Sequence, residues 1–370
     1  MSTIAEQIEE IEKEIRETPY HKGTEHHIGM MRAKLSKLKD KELEKSSKKG
    51  GGGGGYAVKK QGDATIVLVG PPSAGKSTLI NNLTNAQSKV APYAFTTVTV
   101  IPGMFVYNDA RIQILDVPGL IEGAEEGKGR GKEVLSVVRG ANLAVLISDI
   151  YRPAAIERIV ATLERNGIRI NKLPPAIQVE KRMAGGVIIH SNIKQELDKQ
   201  TIKDVASEFG VKNAEITIRE CLTMDRLMDA FSSNRVYIPA IKVLNKADEV
   251  NSETCVKNKN SFYSLSNEEK KQYLLISVEK GIGMQKFRDR IMEHLGLVKV
   301  YLVRQLEEPN FDNPMVMKNG NTILDLAHQI GSEFLENKKA AKIWGTGAKF
   351  AGQEVSFETK LQEGMQIRFV

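Results

Sequence analysis

The sequence predicts an α/β fold in which a mostly parallel sheet carries a phosphate-binding loop. Three observations predict it. Gly70-Pro71-Pro72-Ser73-Ala74-Gly75-Lys76-Ser77 is a complete Gly-x-x-x-x-Gly-Lys-Ser pattern, and the β-branched run 64–69 leads into it. Asp116-Val117-Pro118-Gly119 closes a second strand-like run, about forty residues after Lys76. Asn245-Lys246-Ala247-Asp248 closes a third, at 241–244. One Gly-rich loop is weak evidence, because a turn between strand and helix looks the same. Three motifs in this order, each after a strand-like run, point to a guanine-nucleotide switch.

At the N-terminus, Ile4, Ile8, Ile11 and Ile15 recur at helical spacing. Thr18-Pro19 and Gly23 interrupt the pattern, and Ile28, Met31, Leu35 and Leu38 resume it. The expectation is a helical hairpin over 1–49 whose apolar face docks on the nucleotide domain or on a partner. Residues 31–49 carry eight Lys/Arg against three Asp/Glu, a local excess of basic charge that suits RNA phosphates or merely a solvated face. Gly50 to Gly55 is an unbroken glycine run, so 50–61 reads as a flexible linker.

The nucleotide domain is expected over 62–296. Gly70 and Gly75 let the backbone curl so that its N–H groups aim at phosphates, and the helix starting near Lys76 adds the positive end of its dipole. Lys76 is placed to meet the β- and γ-oxygens as a point charge, and Ser77 to offer its hydroxyl to Mg²⁺. Phe95-Thr96-Thr97-Val98-Thr99 lies between the first two motifs. A threonine in a moving loop ligates Mg²⁺ only while the γ-phosphate is present, which is the basis of a switch. Thr97 is favoured over Thr96 for that role; the competing reading is a β-branched strand start. Asp116 suits a Mg²⁺ contact through water, and Gly119 lets its N–H approach a γ-phosphate.

Asp248 supplies base selectivity. Its carboxylate accepts from guanine N1–H and N2–H₂, a donor pair that adenine lacks. Ser277-Val278-Glu279 after 273–276 fits a fifth guanine-site motif, with Val278 where alanine is usual; the contact there is made by backbone N–H.

The strand-like run 143–148 is followed by no further strand of this sheet until Ile238. That gap is too long for one crossover helix, so about 165–235 is read as an inserted module. Lys172, Lys181 and Arg182 within it suit RNA or plain solvation. The last segment, 297–370, opens on alternation at 298–303 and closes on it at 365–370. Thr322 and Asp325 form a capping pair for a helix between. Trp344 reads as part of that segment's core or a packing edge rather than a stacking platform.

With 370 residues the chain holds two or three domains. Its hydrophobic content of 41% and charged content of 27% are ordinary for a globular protein. The formal net charge of +7 favours an anionic partner such as RNA. Cys221 and Cys255 are too few for a disulfide scaffold and fit a reduced cytoplasm. No run is apolar enough for a membrane helix, and the start is not a secretory signal.

Several segments carry a family resemblance. Tyr93-Ala94-Phe95-Thr96-Thr97, the run 116–124 and Gly127-Lys128-Gly129-Arg130-Gly131 resemble the Obg superfamily of GTPases. Thr24-Glu25-His26-His27-Ile28-Gly29, Asn234-Arg235-Val236-Tyr237-Ile238-Pro239 and Ile343-Trp344-Gly345 narrow it to the developmentally regulated GTP-binding (DRG) proteins. The resemblance spans nearly the whole chain. It implies GTP hydrolysis to GDP and phosphate, Mg²⁺ held by Ser77 and Thr97, and nucleotide contacts at 70–77, 95–99, 116–119, 245–248 and 277–279. It further implies an insertion like ribosomal protein S5 domain 2, a C-terminal β-grasp TGS domain over 297–370, and association with ribosomes or rRNA. Eukaryotic relatives pair with dedicated partner proteins, which makes such a partner a candidate here.

Leu120 stands where many small GTPases carry a glutamine that orients the attacking water. Leucine has no hydrogen-bonding group, so another side chain or a monovalent cation must serve, and the sequence names no catalytic base. Some potassium-using relatives carry asparagine at the place of Ser73; serine is a poorer ligand, and K⁺ stands as a candidate second cation. With no glutamine and no cis arginine finger in view, slow intrinsic turnover is expected. Lys128 and Arg130 lie in the second switch. The rival reading is an RNA- or ribosome-binding module in which GTP sets conformation and hydrolysis is incidental.

Overall fold

The computed structural model describes residues 3–19, 21–48, 62–84, 101–117, 130–258, 260–331 and 338–370. The expected contacts at 95–99 and 118–120 and the glycine run lie outside the described residues. The chain divides into two compact units, Met1–Tyr56 with Gly167–Tyr237, and Ala57–Asn166 with Ile238–Val370.

The strands follow one another as β1 (Ala64–Val69), β2 (Ile101–Tyr107), β3 (Ala110–Asp116) and β4 (Leu143–Asp149). Next come β5 (Ile168–Ile170), β6 (Ile177–Lys181), β7 (Val187–Ser191), β8 (Ala214–Ile218) and β9 (Val236–Ile238). Then follow β10 (Ala240–Asn245), β11 (Tyr273–Leu275), β12 (Leu297–Leu302), β13 (Pro314–Lys318), β14 (Ala341–Trp344), β15 (Gln353–Val355) and β16 (Gln366–Phe369).

Six of these form one sheet in the order β11-β10-β4-β1-β3-β2. Only the β2–β3 pair is antiparallel. Every residue of β1 and β4 is buried. Successive side chains of a strand point to opposite faces, so both faces of the sheet are covered and these strands read as near-continuous apolar runs. On one face Ile66, Leu68, Ile114 and Val145 pack with Leu79 and Ile80 of the helix Lys76–Thr84 and with Phe287 of the helix Met284–Leu295. The described motif residues lie at the carboxyl ends of β1, β3, β10 and β11, where open parallel sheets bind ligands.

The same unit holds the C-terminal sheet β13-β12-β16-β14-β15. It packs against the helix Ile323–Ile330, whose Thr322–Asp325 capping box is formed in both directions. Trp344 lies under the Arg368 guanidinium, 4.9 Å from the ring centre. Arg368 in turn donates to the carbonyls of Arg304 and Glu307, so the indole is a packing edge beneath a stapled loop.

In the first unit the helices Ile4–Glu17 and Glu25–Lys48 form the hairpin, and Ile11, Ile28 and Met31 are buried as the helical spacing requires. The second helix packs on Lys199–Glu208 and Met224–Phe231 of the inserted module, where Ala33 joins Ile202, Val205 and Leu227 in one cluster. A Cβ at Gly29 would lie 2.7 Å from Met224 Cε, so glycine permits the close approach. A polar cluster reinforces it. Arg169 and Arg235 both pair with the buried Asp229, and Arg235 also donates to Ser36 Oγ at 2.9 Å. The sequence left open a docking on the nucleotide domain or on a partner; the hairpin's second helix packs on the module inserted into that domain. The module's own sheet runs β6-β8-β7, with Ala214, Ile216 and Ile218 of β8 inward and Glu215 and Thr217 less buried. Arg182 pairs with Glu215 and Glu180.

Candidate nucleotide site

The loop 70–77 leaves β1 and turns into the helix at Lys76. Pro72, Ser73 and Ser77 are exposed, whereas Gly70, Pro71, Ala74 and Lys76 are buried. Gly75 has φ +90°, and a Cβ there would lie 2.2 Å from Asn245 Nδ2. Both facts exclude any side chain, so the second glycine of the motif serves the backbone and its neighbour rather than the ligand alone. The Lys76 ammonium folds back over the loop and donates to the carbonyls of Gly70 and Pro71, each at 2.9 Å. A nearly buried cation is thereby held at the centre of the curl.

Asp116 closes β3 beside it and is 4% exposed. Its Oδ2 accepts from Ser77 Oγ at 3.2 Å, while Oδ1 is buried with no hydrogen-bond partner among the described residues. Burial raises its pKa above 3.8; the Lys76 charge and the Ser77 hydrogen bond oppose that rise without cancelling it. A carboxylate oxygen left unpaired next to a hydroxyl is a hard-oxygen donor set that fits a small divalent cation such as Mg²⁺.

Asn245 is the structural link between motifs. It is 6% exposed at the end of β10. Its Nδ2 donates to Ala74 O at 3.0 Å, and its Oδ1 accepts from Val278 N at 3.2 Å. One amide therefore fixes the loop 70–77 against the segment 277–279. Lys246 adopts φ +65°, and the turn Ala247–Glu249 follows, tied down by Ala247 N–H to Ile276 O at 2.9 Å. Asp248 is exposed on that turn. Ser277 and Val278 are buried and Glu279 is exposed. Val117 is fully buried after β3, its N–H on Leu68 O at 3.4 Å. The structure therefore brings 70–77, 116–117, 245–248 and 277–279 to one end of the sheet. Phe95, Thr96, Thr97, Val98, Thr99, Pro118, Gly119 and Leu120 lie outside the described residues.

Sequence reasoning passed over a pair beside the loop. Asp149, 2% exposed at the end of β4, accepts from Arg152 Nη2 at 2.6 Å and Nε at 3.2 Å, and Arg152 Nη2 also reaches Pro72 O at 3.4 Å. The only signal in the sequence was an acid closing a buried strand with an Arg-Pro three residues on.

Comparison with known proteins gives the family of the chain. Residues 65–181 match the family described as "50S ribosome-binding GTPase", 184–297 match the C-terminal region of that domain type, and 298–370 match the TGS domain. A GTP-binding protein of Methanocaldococcus jannaschii is 43% identical over 98% of this chain and 91% of its own length. Developmentally-regulated G-protein 3 of Arabidopsis thaliana is 38% identical over 100% of this chain and 99% of its own. Developmentally-regulated GTP-binding protein 1 of Xenopus laevis is 37% identical over the whole of both chains. The chain belongs to the DRG family of Obg-type GTP-binding proteins, a phosphate-loop GTPase domain joined to a TGS domain.

Proposed function

We propose that this protein binds GTP at the carboxyl ends of β1, β3 and β10 and hydrolyses it slowly to GDP and phosphate. In this reading it works as a Mg²⁺-dependent switch on ribosomes. The observation that carries the reading is the Asn245 amide, which locks the phosphate loop to the base-reading segment with Lys76, Ser77 and Asp116 gathered beneath. Lys76 holds positive charge against the phosphates. Asp248, exposed and anchored through its turn, meets the guanine edge, and the Val278 region backs it. Ser77 and Asp116 would hold Mg²⁺, joined by Thr97 while the γ-phosphate remains; the bound ion neutralises charge on the phosphate oxygens. In the reaction, the water oxygen bonds to the γ-phosphorus, the bond to the β–γ bridging oxygen breaks, and a proton leaves with the phosphate.

The ribosome part rests on the description of the matched family and on the TGS domain, together with the chain's excess of Lys and Arg. In the alternative, the protein is chiefly an RNA clasp and GTP only sets its shape. Phosphate release measured with and without ribosomes, in K⁺ and in Na⁺, separates the two. Ribosome-stimulated turnover is the expected result, and ribosome binding that ignores the nucleotide would favour the clasp. Among the described residues no helix is long and apolar enough to cross a membrane, and the reading places the protein in the cytoplasm.

A further inference from the structure

Within the phosphate loop, Ala74 N–H donates to Pro71 O at 3.4 Å, so Pro72 and Ser73 are the central residues of a four-residue turn. The proline ring fixes a negative φ at Pro72, and Ser73 has φ +61°. Negative then positive φ defines a type II turn, whose second central position favours glycine or asparagine. A Pro-Ser pair left to itself prefers type I, which differs by a flip of the peptide between the two residues. Something outside the turn therefore holds that peptide.

Arg152 is placed to do so. Its Nη2 lies 3.4 Å from Pro72 O. The guanidinium is fixed from behind by Asp149, whose side chain is 4% exposed against 48% for Arg152. The backbone is fixed as well: Ser148 Oγ donates to Arg152 O at 2.8 Å, Tyr151 N–H donates to Asp149 Oδ1 at 3.1 Å, and Pro153 follows. In a planar trans peptide the C=O and N–H point in opposite directions. Holding Pro72 O toward Arg152 turns Ser73 N–H toward the concave side of the loop.

We propose that Arg152, anchored on Asp149, is a positioning residue of the phosphate loop. It holds the Pro72–Ser73 peptide with its carbonyl outward and so keeps Ser73 N–H presented to a phosphate oxygen of the bound nucleotide. The proposal rests on the nucleotide reading above and adds a residue to it. Arg152 reaches the ligand only through the peptide it holds.

The test is a titration of the full-length protein with a fluorescent GDP analogue in the presence of Mg²⁺. Arg152→Ala is expected to weaken binding about tenfold, the loss of one charge-assisted hydrogen bond and of the N–H it presents. Adding Ser73→Gly is expected to restore affinity to within about twofold, because glycine carries no penalty at positive φ. A pair that merely supports the fold would not be repaired by a glycine in the loop. Should Arg152→Ala alone fail to fold, Asp149→Asn with Arg152→Ala removes the buried charge together with its partner, and the same rescue is read on that background. Unchanged affinity in Arg152→Ala, or a loss that Ser73→Gly leaves in place, overturns the proposal. An unsubstituted protein that fails to bind the analogue overturns the nucleotide reading itself, and this proposal with it.

Discussion

A single amide carries much of the site's organisation. Asn245→Ala removes two hydrogen bonds and leaves Ala74 O and Val278 N–H unmet, which costs about 2 kcal/mol of stability at roughly 1 kcal/mol each. Guanine-nucleotide affinity should fall more than tenfold, since the two loops lose their tie; a calorimetric titration checks both. In the proposed reading Asp248, exposed on its turn, is selective rather than structural. Asp248→Asn should trade guanosine for xanthosine nucleotides with little change in melting temperature, and an unaltered guanine preference in a competition assay removes Asp248 from the base contact. Asp116 sets a pH dependence. Its pKa is raised by burial, so its proton is retained at pH values above 3.8, where an ordinary aspartate is already ionised. The buried carboxyl therefore favours the metal-free fold while protonated, and that contribution is lost as pH rises through the raised pKa. Metal binding needs the ionised form and runs the other way. Mg²⁺-dependent nucleotide affinity should fall as pH drops through that raised pKa, and the slope should vanish in Asp116→Asn.

Elements differ in how much of themselves they wrote into the sequence. β1 was legible because a strand buried on both faces needs a near-continuous apolar run; β3 and β10, which carry Gln113 and Lys242 within theirs, were legible through the turn chemistry after them, confined to few residue types. Gly75 was legible for the same reason: no other residue accepts φ +90° against Asn245. Arg152 was not. Its partner Asp149 acquires meaning only when β4 and β10 align in register and bring Asp149 opposite Asn245, a relation no local pattern records. The hairpin was legible as two amphipathic helices, but the spacing of Ile28, Met31 and Leu35 says only that a face is covered. That Met224, nearly two hundred residues away, meets Gly29, and that its cluster takes in Met30 and Ala33 on another side of the same helix, is a tertiary fact. Gly29→Leu should force those helices apart, and a loss of about 2–4 kcal/mol by urea unfolding is expected for overpacking against Met224 in a tight contact.

At the scale of the molecule, the chain spends its N-terminal hairpin on the inserted module, while the nucleotide motifs lie in the other unit. Deleting residues 1–49 should therefore uncover Ile202, Val205 and Leu227, raise binding of a hydrophobic dye and lower the melting temperature of one transition. Nucleotide affinity should stay within about twofold; a truncated chain that loses nucleotide binding would show that the two units are energetically coupled. The central claim is that one carboxylate on the turn after β10 reads guanine above a magnesium-ready phosphate loop. Isothermal titration of the purified protein with GTP, GDP and ATP in Mg²⁺ tests it most directly. Micromolar binding of both guanine nucleotides and none of ATP is the predicted result. Equal affinity for ATP, or no heat with GTP, would contradict it.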